Sequence, residues 1–70
     1  MAESVYKVIE LVGTSKDSWG KAAAAAVNRA SKSLRDLRVA EVVQLDMQLD
    51  AKVKIEAYRA KLKVSFKFEG

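Results

Sequence analysis

Seventy residues limit the chain to a small core, and a core of that size is marginal unless disulfides, a metal or self-association support it. The sequence has no Cys and no His, which excludes disulfides, thiolate metal sites and the usual base of a nucleophilic triad, so self-association is the remedy left. A net charge of +4 favours anionic partners or serves solubility alone.

Residues 1–70 read as a single domain, with no linker or repeat and with one low-complexity tract, the alanine run at 22–26. No apolar run approaches the ~20 residues of a membrane span. The opening "MAESVYK" lacks the apolar centre of a signal peptide. A cytoplasmic location without a membrane partner is therefore expected.

Val5 to Val12, "VYKVIELV", is rich in β-branched residues and reads as a first strand, which Gly13-Thr14-Ser15 should stop. Thr14 and Asp17 have the spacing of a capping box, with Ser15 and Ser18 as rival N-caps. The helix that follows should run to about Leu34. Its apolar face is Trp19, Ala23, Ala26, Val27, Ala30 and Leu34, opposite Lys21, Asn28, Arg29 and Lys32. The alanines favour helix and let a sheet approach closely. Trp19, in the first turn, is expected to cover one end of that sheet.

Two alternating segments follow. Val43, Leu45, Met47 and Leu49 alternate with Gln44, Asp46, Gln48 and Asp50, and Tyr58, Ala60, Leu62, Val64, Phe66 and Phe68 alternate with Arg59, Lys61, Lys63, Ser65 and Lys67. A loop near Asp50-Ala51-Lys52 makes them an antiparallel hairpin. For both apolar sets to share a face, opposed positions must sum to an odd number. A sum near 105 puts Asp46 opposite Arg59 and Gln44 opposite Lys61. The expected fold is α+β: strand-helix-strand-strand, one helix packed on a three-stranded antiparallel sheet. Its edge strands invite assembly with further copies.

Three features are candidates for chemistry. The row Arg59, Lys61, Lys63, Lys67 suits phosphates. RNA-binding sheets, however, expose aromatics, and here Tyr58, Phe66 and Phe68 fall on the core side, so a nucleic-acid partner is not favoured. Glu41, Asp46 and Asp50 offer oxygen ligands for a hard cation, without a calcium-loop pattern; salt bridges to the facing basic strand are the favoured account of them. The junction "RDLRVAEVV" places Val39 where a helix-like segment meets a strand-like one, a position that can present a side chain to a ligand.

The pattern "VYKVIELVGTS", then "AAAAAVNRA", then "LRVAEV" and finally "AYRAKLKVSFKFEG" resembles the dodecin family along essentially the whole chain. The resemblance implies a homododecamer, twelve copies in a hollow particle of tetrahedral symmetry that stores or sequesters flavins such as FMN or riboflavin without turnover. In flavin-binding members a Trp at the start of the second strand stacks on the ring, in motifs like W-A-E-V, and a Gln on the third strand hydrogen-bonds it. Here Val39 stands at the Trp position and Arg59 at the Gln position. The lost stacking amounts to about 1–3 kcal/mol per ring face. Val39, Arg59, Arg38 and Glu41 are the candidate flavin-facing residues; Arg38 and Arg59 suit its phosphate or ring carbonyls. The "RVA" at 38–40 is also similar to a calcium-binding branch, calcium dodecin, which implies calcium as a ligand without indicating the residues that hold it; Asp46 and Asp50 are candidate metal ligands by their carboxylate oxygens alone. Flavin, calcium or no cofactor at all remain open as alternatives at this stage, and no enzyme activity is expected.

Overall fold

The computed structural model describes residues 3–68. Four elements run in the order β1 (Tyr6–Ser15), α1 (Trp19–Ser31), β2 (Leu37–Leu49) and β3 (Ile55–Lys67). The strands form one antiparallel sheet in the order β1-β3-β2, so the last strand is central. This is the α+β arrangement expected from the alternation of apolar residues.

β1 does not stop at Gly13 but continues to Ser15. Gly13 is buried inside the strand, because α1 crosses it so closely that a Cβ there would collide with the Ala22 carbonyl oxygen and meet the Ala26 Cβ at 3.0 Å. The glycine is a packing device, not a breaker. With Thr14 in the strand, the Thr14–Asp17 box does not form. Ser18 is the N-cap, and its hydroxyl accepts the Lys21 N–H at 3.0 Å. Ser15 instead accepts the Asp17 N–H at 3.0 Å and shapes the turn before the helix. The helix ends three residues earlier than Leu34; the Ser33 and Leu34 N–H groups both donate to the Ala30 carbonyl and close its last turn.

The core consists of Ala22, Ala26 and Ala30 on the helix against Ala60, Leu62 and Val64 on β3. Ala22, not Ala23, is the alanine at the centre of the contact; Ala23 and Val27 pack at its margin. Only Leu62 and Val64 are large. The small residues draw the helix in but leave little apolar surface buried, which is a weak basis for a chain standing alone.

The hairpin register has the predicted sum from Gln44 to Gln48: Gln44 faces Lys61, Asp46 faces Arg59 and Met47 faces Tyr58. A bulge between Val42 and Gln44 shifts it, so that Glu41 faces Lys63 and Val39 faces Ser65. One uninterrupted alternation was expected, and the bulge reverses which face the earlier residues occupy. The expected burial of Val43, Leu45, Met47 and Leu49 also fails: they are 39–50% exposed. The reason is geometric. α1 lies over β1 and β3 and scarcely reaches β2. At about 1.5 Å per residue α1 spans about 20 Å, whereas β2, of equal residue count, spans about 43 Å at about 3.3 Å per residue. Trp19 does cover one sheet end, its ring edge-on to Tyr58 at 5.0 Å.

Candidate functional site

The sheet face opposite α1 carries the polar residues of β3, namely Arg59, Lys61, Lys63 and Ser65, since Ala60, Leu62 and Val64 point into the core. Cross-strand partners share a face in an antiparallel sheet. Each β3 residue therefore heads a rung: Val8–Ser65–Val39, Glu10–Lys63–Glu41, Val12–Lys61–Gln44 and Thr14–Arg59–Asp46.

Two depressions lie on this face. One, of about 480 Å³, is lined by Val8, Val39, Glu41, Lys63 and Ser65. The other, of about 90 Å³, is lined by Val12, Gln44, Asp46, Arg59 and Lys61. Of the residues singled out in the sequence, Val39 and Glu41 thus meet in the first and Asp46 and Arg59 in the second. Arg38 and Asp50 stand apart from both. Arg38 lies at the first β2 irregularity, 4.0 Å from the Asp36 carboxylate. Asp50 organises the hairpin turn, where one carboxylate oxygen accepts the Lys52 and Lys54 N–H groups at 2.8 and 3.0 Å. Val8 and Val12 escaped sequence reading. Their even numbers place them on this face only once β1 is known to pair with β3.

In the first depression Val39 is 60% exposed, and no lining residue is aromatic. The Ser65 hydroxyl reaches the Val39 carbonyl at 3.5 Å. This surface has no flat π-face on which an isoalloxazine ring can stack. Trp19 does not substitute for it. Trp19 lies on the helix side, at the far end of the hairpin, where its Nε1–H donates to the Asp46 carbonyl at 2.9 Å.

In the second depression the Arg59 guanidinium forks onto Asp46, Nε to Oδ1 at 2.7 Å and the terminal nitrogen to Oδ2 at 3.1 Å. These hydrogen bonds hold the Asp46 carboxyl below the ordinary carboxylate range, against partial desolvation and with help from the Arg59 and Lys61 charges. The same bond raises Arg59 further above its usual value. Arg59 is thereby a committed ion-pair donor and offers a ligand no carbonyl oxygen, unlike an amide side chain.

The carboxylates do not converge. Among the described residues no three His, Cys, Asp or Glu groups lie close enough to share a metal ion. Asp46 and Asp50 already have partners. Glu10 and Glu41 flank Lys63 on one rung and, among the described residues, neither makes an ion pair within 4.0 Å.

A family model described as Dodecin matches residues 5–69. The chain belongs to the dodecin family. A relative named calcium dodecin, from Mycobacterium tuberculosis, is 58% identical over 64 residues, 91% of this chain and 89% of the relative. The crystal structure of the M. tuberculosis calcium dodecin, described as a calcium-chelating immunodominant antigen with a novel calcium-binding site, superposes with a TM-score of 0.84 at 56% identity over 94% of this chain and 93% of that one. The dodecin from Streptomyces coelicolor superposes with a TM-score of 0.90 at 37% identity over 100% and 99%. No helix of this dodecin, among the described residues, is long and apolar enough to cross a membrane.

Proposed function

We propose that this dodecin assembles into a homo-oligomeric shell, turns over no substrate, and holds a small ligand without the stacked-flavin clamp, with calcium as the ligand. The state expected from the family resemblance is twelve copies. The observation that carries the reading is the pair of replacements on the open sheet face: Val39 in a depression without an aromatic ring, and Arg59 tied to Asp46. FMN and riboflavin then bind weakly. The 58% identity to a protein named calcium dodecin supports calcium over flavin.

One chain does not gather a full oxygen shell, and a calcium ion takes about six to eight oxygens. The remaining ligands therefore come from water and neighbouring copies. Glu41, with Glu10 across Lys63, is better placed to contribute than Asp46 or Asp50, whose carboxylates are engaged. Two titrations test this. Adding protein to FMN should leave flavin fluorescence unquenched at micromolar protein. Calorimetric titration with calcium should show binding that Glu41→Gln weakens at least tenfold. Strong quenching, or calcium binding indifferent to Glu41→Gln, contradicts the proposal.

A further inference from the structure

On the open sheet face Lys63 stands between Glu10 and Glu41, and Arg59 stands beside Asp46. Lys61, between these two rungs on the central strand, has Val12 on one side and Gln44 on the other. It is half-buried, and among the described residues it makes no ion pair within 4.0 Å. Its rung thus lacks the counter-charge that partial burial of an ammonium calls for.

We propose that the depression at this side chain, lined by Val12, Gln44, Asp46, Arg59 and Lys61, binds a small free oxyanion of the phosphate or sulfate class. Lys61, the Gln44 amide and the outer edge of the Arg59 guanidinium would hold it. Charge decides the sign of the ligand. Two cations meet one carboxylate there, and Arg59 already forks onto that carboxylate at 2.7 and 3.1 Å. The excess is positive, so a metal cation is repelled. Donors decide its shape. The fork uses two of the five guanidinium N–H groups, and the ammonium and the amide add more from two adjacent strands. Such a spread suits an ion with several oxygens better than a halide. The cluster already accepts one oxyanion, the Asp46 carboxylate, which the Arg59 and Lys61 charges help to keep ionised.

Size excludes the larger anions. Pockets for ligands the size of a coenzyme or drug hold about 300–1,000 Å³. This depression holds about 90 Å³, room for a few water molecules or one compact ion, and neither a flavin nor a nucleotide fits inside it. The site shares no residue with Glu41 and Glu10, so it stands apart from the calcium reading.

Equilibrium dialysis of the natural protein against radiolabelled inorganic phosphate, in chloride at fixed ionic strength, reads the site directly. Saturable binding is expected. Lys61→Gln should weaken it at least about tenfold, and Lys61→Arg, which keeps the charge, should stay within about threefold of the natural chain. Lys63→Gln removes the same charge from the neighbouring rung and should also stay within about threefold. Absence of saturable binding overturns the inference. So do equal losses in Lys61→Gln and Lys63→Gln, the mark of diffuse attraction to a basic face. Circular dichroism checks that each variant folds. Should Lys61→Gln not fold, Gln44→Leu, at an exposed position, decides: binding should weaken by about threefold or more, and unchanged binding overturns the inference. Sulfate should displace phosphate. FMN that displaces it at a concentration tenfold below that of sulfate would make the depression the phosphate end of a larger ligand's site and contradict a free ion.

Discussion

Asp46 is held from both faces of the sheet: its carboxylate takes the Arg59 fork on the open face, while its carbonyl takes the Trp19 indole N–H on the helix side. The residue joins α1, β2 and β3 at the point where the hairpin leaves the cover of the helix. It therefore fixes the hairpin's direction as well as occupying the Arg59 side chain.

The fork carries a pH signature. A carboxyl held below its ordinary value contributes stability that is fully present above its unfolded pKa, near 4, and is lost as pH falls through the folded value. Asp46→Asn removes the charge and keeps the carbonyl that Trp19 uses. The natural protein should melt higher than Asp46→Asn at neutral pH, with the gap closing below about pH 4. Both must be compared at equal chain concentration, since assembly shifts melting. A gap constant down to about pH 2 would contradict this sign.

Restoring a ring surface should restore flavin. Val39→Trp supplies the missing π-face, and at about 1–3 kcal/mol per stack the affinity for FMN should rise about 5- to 150-fold. Adding Arg59→Gln, which supplies an amide in place of the committed guanidinium, should raise it again. Fluorescence quenching reads both. A gain only in the double variant would identify Arg59 as the obstacle. No gain in either would show that the depression at Val39 does not correspond to a ring site.

The two glycines on either side of the first turn should respond in opposite senses. Gly13→Ala drives a methyl into the Ala22 carbonyl and should destabilise by about 1–3 kcal/mol. Gly20→Ala, in the helix with its nearest neighbour at 3.9 Å, should stabilise by up to about 1 kcal/mol. Denaturant midpoints at fixed concentration check the pair; equal effects would deny the close helix crossing.

Val53 sits in the hairpin turn with φ of 62°, in the left-handed region that a β-branched residue resists. It is 74% exposed, so its side chain contributes little packing. Val53→Gly should stabilise by about 0.5–1 kcal/mol, relief of strain outweighing the added freedom of the unfolded chain. A loss of stability on denaturant unfolding would argue against that turn.

Much of the fold was legible in residue spacing. The parity of apolar positions in β2 and β3 gave the face of each strand, and the odd sum placed Asp46 opposite Arg59 correctly. The bulge at Val43 was not legible, because a run of Val42 and Val43 suits either face and nothing local marks the extra residue. Yet that bulge is what brings odd-numbered Val39 and Glu41 onto the same face as even-numbered Gln44 and Asp46. The exposure of Leu45 and Met47 was likewise hidden, since it depends on the short reach of α1 and not on the strand's own pattern. Gly13 was misread as a stop because its role is set by a helix that packs across it.

A native mass spectrum of the purified protein, with no ligand added, tests the central claim most directly. The account predicts a multi-chain particle, of twelve copies by the family resemblance, without flavin-sized increments in mass. A monomer, or a particle carrying flavin-sized increments, would contradict it.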